Sequence, residues 1–80
     1  MTTSEAIIKR ITELCIENNI TVSKLSTISG TTQSTLNDIV NGVTKNPGIT
    51  TLKKLCDGLD ITLSEFFDTE YFNTLTQEIE

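Results

Sequence analysis

Residues 21–43 read TVSKLSTISGTTQSTLNDIVNGV, and the fold is decided there. Thr21 is a natural cap for a short helix that turns Val22, Leu25 and Ile28 inward, because its hydroxyl can accept from a free N–H group of the first turn. Gly30 ends that helix, supplying the left-handed conformation that side chains resist. Thr32 caps the next one, in which Leu36, Ile39, Val40 and Val43 form the apolar side until Asn41-Gly42 unwinds it. The opposite side then presents Gln33, Ser34, Asn37, Asp38 and Asn41, a strip of short polar groups at helical spacing.

Working outward, Ile7, Ile8, Ile11, Leu14 and Cys15 recur at steps of three and four and predict a first helix from about Ser4 to Asn18. Thr2 and Glu5 form a capping box at its start. On the other side the loop TKNPG holds the only proline, whose predecessor is pushed out of helical geometry. Ile49, Leu52, Leu55, Cys56 and Leu59 mark a fourth helix, closed near Gly58 or Asp60. Thr62-Leu63-Ser64-Glu65 is a second capping box, opening a fifth helix through Phe66 and Phe67. These elements imply an all-α, five-helix bundle over residues 4–67. Residues 68–80 form an acidic tail in which Tyr71, Phe72, Leu75 and Ile79 predict a short amphipathic helix. Its apolar stripe packs on the same domain or meets a partner chain.

The chain has 80 residues, 36% of them hydrophobic, which suits one small globule built on Ile and Leu. No apolar run is long enough to cross a membrane, and MTTSEAIIKR lacks the pattern of a secretion signal, so a soluble cytoplasmic protein is expected. Without histidine and with only Cys15 and Cys56, the usual zinc ligand sets cannot be assembled, and neither a metal nor another cofactor is expected. The commonest general base is missing too, which argues against an enzyme. Both cysteines lie on inward faces as small core residues, with no disulfide.

The net charge of −5 argues at first against a polyanionic partner, but the charges are segregated. Residues 20–54 carry Lys24, Lys45, Lys53 and Lys54 against Asp38 alone, whereas residues 55–80 carry seven acids and no Lys or Arg. A mildly basic middle can face phosphates if the acidic end points away, since screening weakens interactions beyond about 8–10 Å.

Two short helices around a turn containing Gly30 are the arrangement of a helix-turn-helix. The stretch resembles the Cro/repressor-type (XRE) helix-turn-helix family, and lambdoid phage repressors in particular, through Gly30-Thr31-Thr32-Gln33 and Asn41-Gly42. Leu25, the Thr44-Lys45-Asn46-Pro47 loop, Leu59-Asp60-Ile61 and Ser64-Glu65-Phe66-Phe67 match in the same register, over roughly residues 4–67. The resemblance implies a lambda-repressor-like DNA-binding bundle and a small transcriptional regulator, a repressor, whose recognition helix, about residues 32–41, enters the major groove. It places Gln33, Ser34 and Asp38 on base edges, and Asn41 and Lys45, with Thr44 beside it, on the phosphate backbone.

The residue chemistry agrees. Gln and Asn match adenine's donor and acceptor, Ser serves several bases, and a carboxylate accepts from cytosine's amino group, so Asn37 joins the base-reading set. Asp38 either narrows specificity or weakens binding. The helix starts at Thr21 and Thr32 can hold phosphates through backbone N–H groups. Many family members pair a Glu at the position of Val40 with an Arg at that of Cys15; here both are small and apolar, and contact between them is expected. One helix reads few base pairs, so a homodimer on two half-sites about 34 Å apart is expected. Its surface is placed at Phe66 or Phe67, Tyr71, Phe72, Leu75 and Ile79. The competing reading is a protein-interaction or antitoxin-like regulator whose acidic tail binds another protein, with DNA binding weak or lost.

Overall fold

The computed structural model describes residues 1–79; Glu80, the last residue of the expected tail, lies outside them. Among the described residues the architecture is all-helical: α1 Thr3–Glu17, α2 Val22–Ser29, α3 Gln33–Val40, α4 Ile49–Leu59, α5 Leu63–Phe67 and α6 Glu70–Asn73. No helix among them is long and apolar enough to cross a membrane.

Threonine opens five of these helices. Thr2, Thr21, Thr32, Thr62 and Thr69 each accept a backbone N–H of the first turn, and both expected capping boxes, Thr2–Glu5 and Thr62–Glu65, are closed. Such caps each contribute about 1 kcal/mol, which matters for helices of four to eight residues. The exception is Gly48, which opens α4 without a side-chain bond. Gly30 closes α2 at φ +69, as the turn requires, and Asp60 closes α4 in the left-handed region at φ +57.

The core gathers one face from every helix of the bundle: Ile7, Ile11, Leu14 and Cys15 of α1, Leu25 of α2, Leu36 and Ile39 of α3, Leu52, Leu55 and Cys56 of α4, and Phe66 of α5. Val40 is half-buried against this cluster, in which Cys15 is a member, and α1 touches α3. Both cysteines are buried and unpaired, and burial raises their thiol pKa values.

Several expected inward residues face out. α2 buries Leu25 and Ser26 with Val22 and Ser29 beside them, a face at steps of three and four that leaves Ile28 on the rim. That face is built of small groups because α2 packs most extensively on α4, where a Cβ at Gly58 would lie 2.9 Å from Ser29 Cα. Val43 is 70% exposed, because Gly42 at φ +77 takes the chain out of the helix before it. Ile49 is 59% exposed; it is the first residue of α4, ahead of the buried face that starts at Leu52.

The tail departs further from expectation. The amphipathic helix through Ile79 does not form: only Glu70–Asn73 is helical, and Ile79 is 81% exposed. Thr74 ends it, its hydroxyl bonding back to the Glu70 carbonyl at 3.1 Å. Of the two placements left open, Tyr71 and Phe72 pack on their own domain. The Phe72 ring lies 5.0 Å from Phe67 edge-to-face and 6.3 Å from Phe66. The Tyr71 hydroxyl donates to Glu13, and Lys9 Nζ lies 4.5 Å from the centre of its ring. Arg10 makes a matching latch one turn away, donating from Nε to the Phe66 carbonyl at 2.7 Å and from a terminal nitrogen to that of Glu65 at 2.9 Å. A cation there satisfies the Phe66 carbonyl and adds to the bond that the Glu65 carbonyl accepts from the Asp68 N–H at 3.4 Å.

Candidate nucleic-acid interface

α2 and α3 meet across a turn in which Gly30 donates to the Thr27 carbonyl at 3.4 Å and Thr31 to that of Ser26 at 3.1 Å. The Ser26 side chain is buried, its hydroxyl donating to the Ser23 carbonyl at 2.6 Å, so a polar group sits between the helices without an unmet bond. Thr31 Oγ1 is different: it is buried and finds no hydrogen-bond partner among the described residues.

With Leu36 and Ile39 buried beneath it, α3 turns Gln33, Ser34 and Asp38 to solvent, while Asn37 is half-buried at the edge of the strip. These four residues therefore share one accessible helix side. Asn41 is exposed at the carboxyl end, Thr44 is half-buried and Lys45 exposed in the following loop. That loop is tied back to α3, since the Val43 and Thr44 N–H groups both donate to the Asp38 carbonyl, at 2.8 and 2.9 Å. Thr21 and Thr32 stand exposed at the two helix starts, their side chains accepting from Lys24 N and Thr35 N. Thr32 also donates to the Thr35 hydroxyl at 2.7 Å, and with the Thr35 N–H taken by the cap, the Gln33 and Ser34 N–H groups are the first-turn donors left at that end.

The cations divide by use. Lys53 pairs with Asp57 within α4, whereas Lys24, Lys45 and Lys54 are exposed, with no side-chain hydrogen bond or ion pair among the described residues. Glu5 has a lowered pKa, first through the Thr2 backbone N–H and hydroxyl, and further through the chain's amino terminus and Lys45. Of the residues placed on an expected dimer surface, Phe66 is completely buried in its own chain and has no area to offer a partner. Phe67, Tyr71, Phe72 and Leu75 are half-buried and Ile79 is exposed.

A family model for the Cro/C1-type helix-turn-helix DNA-binding domain matches residues 10–71. The chain belongs to that family. Among solved structures, the Cro/C1-type chain is similar to the crystal structure of the prophage Lp1 protein 11, with 36% identity and a TM-score of 0.81. The match covers 94% of this chain and 100% of that one, so the likeness extends through the fold and most of the tail. No curated protein matches this Cro/C1-type chain.

Sequence reasoning missed Arg10, whose partners lie 55 and 56 residues away, and the partners of Tyr71 and Glu78 on α1. No local pattern signals such pairs. The unpartnered Thr31 hydroxyl was likewise invisible, since a threonine in a turn ordinarily bonds to its own backbone or to water.

Proposed function

We propose that this chain is a sequence-specific double-stranded DNA-binding transcriptional regulator, a repressor acting by occupancy. α3 enters the major groove with Gln33, Ser34, Asn37 and Asp38 at base edges. Thr21, Thr32, Asn41, Thr44 and Lys45 hold the phosphate backbone. The observation that carries this reading is the shared exposure of Gln33, Ser34 and Asp38 over a buried Leu36–Ile39 seam, in a chain of the Cro/C1-type family. A cytoplasmic setting suits two buried, unpaired thiols.

The working unit is a homodimer on half-sites about 34 Å apart, one turn of duplex. Leu75 and Ile79 are the members of the expected dimer surface best able to meet a second copy, because Tyr71 bonds to Glu13 and Phe67 and Phe72 stack on each other within the chain. That engagement also weakens the rival reading, a protein-interaction or antitoxin-like regulator, whose tail would need those rings free.

Selection of duplexes from a random pool at low salt, followed by sequencing, tests the proposal. An enriched, two-fold-related sequence is expected, and Gln33→Ala should relax it at one position per half-site. Absence of any enriched sequence would overturn base reading. A monomer at all concentrations in sedimentation, with and without the selected duplex, would overturn the dimer.

A further inference from the structure

The acidic tail returns to the start of α1. Residues 74–79 carry no regular structure, and from within them Glu78 Oε1 accepts from the Thr3 hydroxyl at 2.8 Å and from the Thr3 backbone N–H at 3.4 Å. Beside this contact opens a concavity of about 440 Å³ lined by Thr3, Ser4, Ile7, Lys45, Asn46 and Glu78. Lys45 and Asn46 belong to the loop that follows α3, and Lys45 is exposed with no carboxylate paired to it among the described residues. Two hydroxyl residues, a backbone amide, an amide side chain and a lysine thus line one concavity, in which the Glu78 carboxylate is held by Thr3. These are the donor types that ordinarily hold a phosphate of the DNA backbone.

We infer that this concavity seats a backbone phosphate of the duplex, and that Glu78 occupies it in the free protein as an internal competitor. The inference rests on the DNA-binding reading above. It adds Thr3, Ser4 and Asn46 to the backbone contacts and makes the tail a gatekeeper, since its carboxylate must leave before the phosphate enters. The contact is surface-exposed, so it is weak enough to yield to a duplex. It lowers the affinity of every duplex that uses this seat by the same factor, the fraction of molecules in which the tail is away.

The test compares dissociation constants of the full-length wild type, Glu78→Gln and Glu70→Gln for the duplex selected above. Glu70 is exposed and does not line the concavity, so its change removes the same charge elsewhere. Glu78→Gln should bind about three- to tenfold tighter, the equivalent of one exposed charge-assisted hydrogen bond, with an advantage that shrinks as salt rises. Glu70→Gln should stay within about twofold of wild type. Without DNA, the Thr3 amide resonance should move in Glu78→Gln and hold still in Glu70→Gln. Equal affinities in all three proteins, or equal tightening by both substitutions, would overturn the competitor while leaving DNA binding intact. Failure of all three to bind any duplex would remove the DNA-binding reading and this inference with it.

Discussion

Replacing Gly58 with alanine tests the packing that sets α3 on its scaffold. In a helix interior with open space, glycine to alanine gains about 1 kcal/mol, because the backbone loses less freedom on folding. Gly58 has no such space. Its added Cβ would lie 2.9 Å from Ser29 Cα and 3.0 Å from Ser29 N and Cβ, against the 3.4 Å at which ordinary contact begins. Two of those atoms are backbone, so no rotamer change relieves the clash and α2 must move off α4. Overpacking of this kind costs about 1–3 kcal/mol, and a rigid neighbour puts Gly58→Ala in the upper part of that range. Less the propensity gain, the net loss is about 1–2 kcal/mol, and the midpoint should fall by roughly 4–16 °C for a domain of this size. Thermal unfolding followed by far-ultraviolet circular dichroism measures it. A midpoint that rises would refute the reasoning, since propensity would then outweigh packing and the α2–α4 seam would not be tight.

Tyr71 is the only tyrosine, and burial, then its bond to Glu13 and that residue's charge, push its phenol up to about 12. The folded-state value lies above the ordinary value near 10, so this bond stabilises fully below about pH 10 and its contribution disappears between about pH 10 and 12. Absorbance titration should give that late tyrosinate, and Glu13→Gln should bring it down; an ordinary value in the wild type would remove the latch. Thr31→Val replaces a buried, unpartnered hydroxyl by a methyl of like shape and should stabilise by about 1 kcal/mol, read as a higher urea midpoint, whereas a loss would mean that the hydroxyl is satisfied. Lys45→Ala should weaken binding to all duplexes alike and lower the slope of log affinity against log salt by about one per subunit, whereas a change in the preferred sequence would place Lys45 on a base.

What was legible in the sequence is what is local. Gly30, four of the five threonine caps, the seam of α1 and most of those of α3 and α4 follow from spacing within a few residues, and so does the polar strip of α3. On α2, Val22 and Leu25 turn inward as expected, but Ile28 does not, because the other inward members, Ser26 and Ser29, are serines at the close approach of Gly58 and apolarity alone pointed to Ile28. The tail was misread for a related reason. Tyr71, Phe72, Leu75 and Ile79 keep helical spacing, yet Thr74 stops the helix and Glu78 bonds to the opposite end of the chain. Periodicity cannot register a partner 75 residues away.

The Arg10 latch bears on how the protein is made. Ribosomes deliver α1 first, but the carbonyls that receive its guanidinium belong to Glu65 and Phe66, and Phe66 is the largest fully buried side chain of the globule. A nascent chain therefore holds α1, α2 and α3 long before it can clamp α1. Any product cut short before residue 65 lacks both the keystone ring and the acceptors of that clamp. Such a product keeps its apolar seam open, and should be cleaved by a protease faster than the full chain.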